Sequence, residues 1–318
     1  MEFNLSRKLT KRQHFVPITY LRGWSARRWN EVEDSSFKTV RAHFKDSNKS
    51  EPRNPKSILE EDWFYERDSH APDNEIENTL GGYETSWSPT MLSLDTTLDF
   101  ALKIYNDEPS IKNTGISLNQ YLMRSLVTRF EALPKYADII KVFAAISYFR
   151  TLAALAIKTS ELKRDPRVNV SPSAIEMNAW WLAKDAFAST VVDRFKCLNL
   201  KLLIAQEESF VTCDRPCFDV NIADKKFDPL FGYDIGRLNT VVACFPLSSR
   251  LVALLMPEEI MIHGKIVQTP KYDALCLTAL GVKTLNVGIF QSAEKVVVST
   301  SQYQELTDID PSWNKQTT

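Results

Sequence analysis

Glycine is scarce in this chain, with nine in 318 residues. Folds that depend on glycine-rich phosphate loops are therefore not expected, and neither is nucleotide binding by a P-loop or a Rossmann turn. Cysteine is sparse and odd in number: Cys197, Cys213, Cys217, Cys244 and Cys276 have no disulfide-framework spacing, which predicts free thiols in a reducing compartment. Cys213 and Cys217 lack a second Cys/His pair at zinc-site spacing, so a structural zinc is not expected. No apolar run approaches the roughly 20 residues that a membrane-spanning helix needs, and no basic leader precedes one. The expectation is a soluble, cytoplasmic protein without a membrane partner. An excess of one charge is also missing, since 39 basic residues face 40 acidic ones. Any nucleic-acid contact must then come from a local patch. Thr159-Ser160 and Ser248-Ser249 have neither a glycine elbow nor a nearby histidine, which leaves a serine-nucleophile hydrolase unsupported. Glu161-Leu162-Lys163 spells a nuclease Glu-x-Lys but follows a helical run, where solvated surface is the simpler reading.

Against these absences, 44% of the side chains are hydrophobic, enough to bury one large core or two that share an interface. Residues 1–70 read as a β-rich cap, with Phe15-Val16 and Phe37 to Val40 as short apolar pieces and Asp46 to Pro55 as a proline-bearing surface loop. From 74 to 195 apolar residues recur at helical spacing, as in Leu118-Tyr121-Leu122-Ser125-Leu126 and Ile139-Ile140-Val142-Phe143-Ile146. Pro134 and Pro166 punctuate this region, and Ser171-Pro172-Ser173 starts a helix expected to run through Trp180 and Trp181 to about Arg194. From 198 to 300 the character is β: Leu198 to Ala205, Phe210 to Cys213, Thr240 to Pro246, Leu251 to Met256 and Val296 to Ser299 read as strands, interrupted by a helix from Tyr272 to Leu280. The fold class is α+β, a helical middle region packed on a mostly antiparallel sheet from the C-terminal half with an N-terminal β-rich cap. One domain spans 1–307, and 308–318 is a polar tail expected to fray.

The first thirty residues carry the densest chemistry. His14 sits in Lys11-Arg12-Gln13-His14-Phe15-Val16-Pro17, with Tyr20, Leu21 and Trp24 close behind. It is either a catalytic base or a histidine that holds the arm down through a backbone carbonyl. Glu77 and Glu84 are seven residues apart, close to two helical turns, so both project from one face unless Gly81-Gly82 breaks the helix between them. Facing inward, two carboxylates with a histidine make a cage for a hard divalent cation or an acid/base pair, whereas solvated helix carboxylates are the commoner case. Asp214 follows the strand Phe210-Val211 within Thr212-Cys213-Asp214-Arg215-Pro216, where both a catalytic carboxylate and a turn starter fit. Arg124 and Arg129, on the helix from Leu118 to Phe130, are placed to grip a phosphate or to pair with those acids. The cluster Lys11, Arg12, Arg22, Arg27 and Arg28, interleaved with aromatics, makes the best case for nucleic-acid contact, although a solvated terminus also explains it.

His14-Phe15-Val16-Pro17 with Tyr20-Leu21, the Glu77/Glu84 helix, Thr212-Cys213-Asp214-Arg215-Pro216 and Phe245-Pro246-Leu247 together resemble a prokaryotic domain-of-unknown-function family that opens His-x-Val-Pro-x-x-Tyr-Leu and later shows Thr-Ser-Asp-x-Pro. Cys213 stands where that pattern has serine, which argues against a catalytic hydroxyl there. The resemblance implies that His14, Glu77, Glu84 and Asp214 match polar positions of the pattern, and it supplies no reaction. From a shared site follows the expectation of a metal-dependent phosphodiesterase or nuclease. Glu77, Glu84 and Asp214 would hold Mg²⁺ or Mn²⁺, His14 would act as base and Arg124 or Arg129 as phosphate clamp. The type of family adds the expectation of a phage-defence or toxin-like effector. The alternative is a non-enzymatic protein- or nucleic-acid-binding module in which the same residues form a structural network.

Overall fold

The computed structural model describes residues 10–25, 39–62, 64, 75–149, 190–221, 241–262 and 265–312. Its first elements are strand β1 (Arg12–His14), helix α1 (Ile18–Leu21), a 3-10 turn (Arg22–Trp24), strands β2 (Val40–Phe44) and β3 (Lys49–Arg53), and β4 (Glu60–Asp62). Helices α2 (Glu75–Asp107), α3 (Pro109–Asn113), α4 (Leu118–Ala132), α5 (Lys135–Phe149) and α6 (Thr190–Lys196) come next. The second half holds β5 (Asn199–Ile204), β6 (Thr212–Cys213), β7 (Phe218–Asn221), β8 (Val241–Pro246), β9 (Leu251–Met256), β10 (Glu259–Ile262), β11 (Lys265–Gln268) and β12 (Tyr272–Cys276). Helix α7 (Ala279–Ser292), β13 (Val296–Ser299) and α8 (Leu306–Ile309) complete it.

Helix α2 is about 50 Å long at 1.5 Å per residue and continues through Gly81, Gly82 and Pro89. Two interior glycines and a proline cost a helix about 5 kcal/mol together. What outweighs them is a stripe at three-, four- and seven-residue spacing, Leu80, Trp87, Met91, Leu94, Leu98 and Ala101, all buried. At 1.5–3 kcal/mol per large buried side chain this stripe contributes roughly 8–15 kcal/mol. Tertiary packing therefore decides, and the break considered at Gly81-Gly82 does not occur.

Five strands form the central sheet in the order β12-β5-β9-β8-β7. Every pairing is antiparallel except β12 with β5. All residues of β5 and β9 are buried, and their period-2 alternation divides two cores. Leu200, Leu202, Ile204, Ala253 and Leu255 face the core shared with α2, α4 and α5. Leu203, Val252, Leu254 and Met256 face the core shared with α7. A four-stranded antiparallel sheet, β3-β2-β13-β6, joins the N-terminal hairpin to strands of the second half. The β-rich N-terminal segment is thus built into the body, and the α+β class holds.

Three expectations need correction. Tyr272 to Cys276 is a strand, because the open edge of β5 captures it in parallel register and aligns Asp273 with Lys201, whose ammonium lies 3.1 Å from the Asp273 carboxylate. The helix begins only at Ala279, where the Thr278 hydroxyl accepts the Gly281 N–H at 3.2 Å. The run Asp46 to Pro55 contains β3, and Pro52 is tolerated there because β3 is a sheet edge that needs no second ladder bond. The tail does not fray from 308: α8 runs to Ile309, and Ile309 and Asp310 are buried. The expected helix from Ser173, Pro166, Thr159-Ser160 and Glu161 to Lys163 fall outside the described residues, except that α6 covers Thr190–Lys196.

Candidate functional site

The opening motif is a seat for the chain's own N-terminal arm. Pro17, with φ −58° and ψ 139°, turns β1 into α1 and brings Tyr20, Leu21 and Trp24 into the core with no exposed surface. The Tyr20 hydroxyl donates to the Pro246 carbonyl at 2.7 Å, so at 2.7 Å from Thr212 Oγ1 it accepts that residue's proton. Burial pushes this phenol well above its ordinary pKa. Trp24 Nε1 donates to the Phe210 carbonyl at 2.8 Å. The Tyr20 ring stacks on Phe245 at 5.4 Å, and Trp87 of α2 stacks on Phe143 of α5 at 4.3 Å. At Gly23 a Cβ would sit 3.0 Å from the Leu247 carbonyl oxygen and 3.1 Å from Ser248 Cα, so any side chain there must displace that backbone by a few tenths of an ångström.

His14 pairs with Glu60 across the β1–β4 ladder, its Nε2 3.7 Å from the carboxylate. Arg12 reaches the other oxygen of Glu60 at 3.2 Å, and Lys11 meets Asp62 at 2.9 Å. Glu84 accepts a long hydrogen bond, 3.4 Å, from the Thr19 hydroxyl. Glu77 lies two turns earlier on the same unbroken helix and is half-buried. The contacts of Lys11, Arg12 and His14 tie the arm to β4, and that of Thr19 with Glu84 ties it to α2.

Asp214 does something else. Its Oδ1 accepts the Glu294 N–H at 3.0 Å, and its Oδ2 accepts those of Lys295 at 2.7 Å and Val296 at 3.1 Å, so the carboxylate clasps the α7–β13 turn to the end of β6. Burial raises its pKa, and the three backbone N–H groups oppose that rise. Beside it, burial pushes the Cys213 thiol up to about 12, which leaves it protonated and unreactive at neutral pH. Among the described residues no group of three or more His, Cys, Asp and Glu could hold a metal ion, so Glu77, Glu84 and Asp214 do not converge as such a group. Arg124 is exposed, and Arg129 donates to the Ser93 hydroxyl of α2 through Nε at 3.2 Å and Nη2 at 2.6 Å. Arg27 and Arg28 lie outside the described residues.

The sequence reading missed His43. This fully buried histidine bridges three strands, with Nδ1 2.7 Å from Ser50 Oγ on β3 and Nε2 2.7 Å from Ser299 Oγ on β13. Because Ser299 donates to the Thr300 carbonyl, it accepts from Nε2–H, and Nδ1 is left to accept from Ser50. Burial, assisted by nearby Arg41, lowers the His43 pKa to about 4. An imidazole so weakly basic is a neutral strut, and Ser50 is no activated nucleophile. The available signal was a hairpin one: Lys45 to Asn48 form the turn, Asn48 adopts φ 52°, and His43 falls opposite Ser50.

A family model described as a protein of unknown function, DUF4238, matches residues 12–116 and 131–302. The chain belongs to the DUF4238 family. The DUF4238 match covers the arm, β4, the Glu77/Glu84 helix and Asp214, and omits 117–130, the segment carrying Arg124 and Arg129. No curated protein and no solved structure matches the chain. No helix among the described residues is long and apolar enough to cross a membrane.

Proposed function

We propose that this DUF4238 chain is a non-enzymatic interaction protein, a protein-binding module in which His14, Glu84 and Asp214 act as internal struts. The observation that carries the reading is Asp214, whose two oxygens accept three backbone N–H groups of the α7–β13 turn. A carboxylate so engaged is poorly placed to bind a cation, which would have to displace those bonds. His14 and Glu84 likewise have partners within the fold, Glu60 and Thr19. A protein partner is favoured over nucleic acid because Lys11 and Arg12, two of the cations expected to meet phosphate, are paired with Asp62 and Glu60. A cytoplasmic setting belongs to the same proposal, supported by five free cysteines.

The metal-dependent phosphodiesterase or nuclease remains the rival, and thermal unfolding separates the two. Wild type, His14→Ala, Glu84→Ala and Asp214→Ala are melted with and without Mn²⁺ or Mg²⁺. The structural reading expects no metal response in any of the four and a lower melting temperature for Asp214→Ala. A metal-dependent rise in wild type that the variants lose, without loss of stability in chelator, would overturn it and restore Glu77, Glu84 and Asp214 as metal ligands.

A further inference from the structure

A groove of about 460 Å³ opens between α2 and α4, away from the arm and from Asp214. Its volume lies within the range of small-molecule sites. Where a helix pair ordinarily meets through aliphatic side chains, these two present hydroxyls, among them Ser93 and Thr96 from α2 and Thr128 from α4. Thr97 and Ser125, also in the wall, donate their protons to carbonyls of their own helices, Ser93 and Tyr121, each at 2.8 Å. Thr96 and Thr128 are exposed residues of the groove wall, within reach of a ligand.

Arg129 closes the wall. Two of its five N–H groups grip Ser93 Oγ, and the guanidinium lies over the Tyr136 ring at 5.4 Å. Both contacts fix its plane, and no described carboxylate comes within ion-pair distance of it. The Tyr136 hydroxyl also engages this guanidinium, and its remaining N–H donors belong to a held cation with no carboxylate partner among the described residues. The Ser93 hydroxyl, with the Arg129 and Lys135 charges, also holds the Tyr136 phenol below its ordinary pKa. Of the acids on this stretch of α2, Asp95 is buried and Asp99 is engaged by Arg250 at 2.5 Å. On the groove's rim the Phe100 side chain is 63% exposed, an unusual position for a large aromatic and a ready stacking face.

We propose that this groove binds a small phosphomonoester that carries a flat apolar ring, the chemistry of a nucleoside monophosphate, with Arg129, Thr96 and Thr128 on the phosphate and Phe100 against the ring. A planar fork is suited to phosphate because two parallel N–H groups meet two oxygens. Ser125, Thr128 and Arg129 of the α4 wall lie in the segment that the DUF4238 match omits, so these positions belong to this chain rather than to the family pattern. The site is independent of the arm network, and its failure would leave the metal-melting test untouched.

Isothermal titration of the full chain at low ionic strength tests it with four probes: adenosine 5′-monophosphate, phenyl phosphate, inorganic phosphate and adenosine. The two ring-bearing phosphates should bind at least ~10-fold more tightly than inorganic phosphate, and adenosine should give no saturable heat. Arg129→Gln should weaken both by ~10-fold or more, and Phe100→Ser should weaken them by about 5-fold while leaving inorganic phosphate unchanged. Arg194→Gln removes a cation elsewhere on the surface and should change nothing. Melting curves confirm that each variant is folded. No saturable binding of either ring-bearing phosphate at millimolar concentration, equal affinity for inorganic phosphate, or unchanged affinity in folded Arg129→Gln would each overturn the proposal.

Discussion

Asp214 and Arg129 are both charged residues that the sequence marks as candidates for chemistry, and the fold treats them in opposite ways. Asp214 is 7% exposed and its oxygens take three N–H groups from a turn some 80 residues away. Arg129 is half-exposed, touches only the Ser93 and Tyr136 hydroxyls and has no carboxylate partner among the described residues. A charge whose hydrogen-bonding capacity is met inside the protein holds structure together. One that has no counter-charge there is available to something outside it.

The largest effect that could break this contrast is at Asp214. Replacing it by alanine leaves three N–H donors without their acceptor, two of them on exposed residues, and should cost about 4 kcal/mol in urea unfolding. A loss below about 1 kcal/mol would mean that the clasp is dispensable and the carboxylate is free for another role. The next largest is a pH effect centred on His43. Its pKa is about 4 folded and about 6.5 unfolded, so its contribution is fully present above pH 6.5 and is lost as pH falls from 6.5 toward 4. Stability should drop by about 3 kcal/mol across that window, and His43→Gln should flatten this component. Tyr20→Phe, which removes the hydroxyl from Thr212 and Pro246, should cost about 1–2 kcal/mol by the same unfolding measurement. Glu84→Ala removes the long, 3.4 Å bond to Thr19, a contact whose loss should by itself cost less than about 1 kcal/mol in the same unfolding measurement. Smallest of all, Arg129→Gln should shift stability by no more than about 0.5 kcal/mol. A large loss there would make Arg129 a strut like Asp214 and erase the difference.

Much of the scaffold was legible because local pattern and tertiary demand agree. Leu251 to Met256 and Val296 to Ser299 fall on β9 and β13, since unbroken apolar or branched runs suit strands buried on both faces or paired on both edges. Tyr272 to Cys276 was misread because nothing within five residues announces that the edge of β5 lies vacant beside them. Asp214 was legible as a polar residue at a strand end, but the N–H groups it accepts belong to Glu294, Lys295 and Val296 rather than to a local turn, and no local spacing connects them to it. His43 was half-legible: the hairpin sets Ser50 opposite it, whereas Ser299 lies on β13, 256 residues away. The converse holds for Arg129: its place on α4 was readable, and the hydroxyl groove beside it required knowing that α2 lies across from it.

The arm's anchors have a consequence for how the chain is made. Tyr20 bonds to partners 192 and 226 residues downstream, and Trp24 to one 186 residues downstream. At 5–20 residues per second, a ribosome needs roughly 10–45 s to travel from Tyr20 to Pro246. For that interval the nascent chain carries an aromatic, strand-forming segment whose binding pocket has not yet been synthesised. The first described part of the protein to emerge is therefore among the last to find its place, and its keeping in the meantime falls to whatever shields nascent chains.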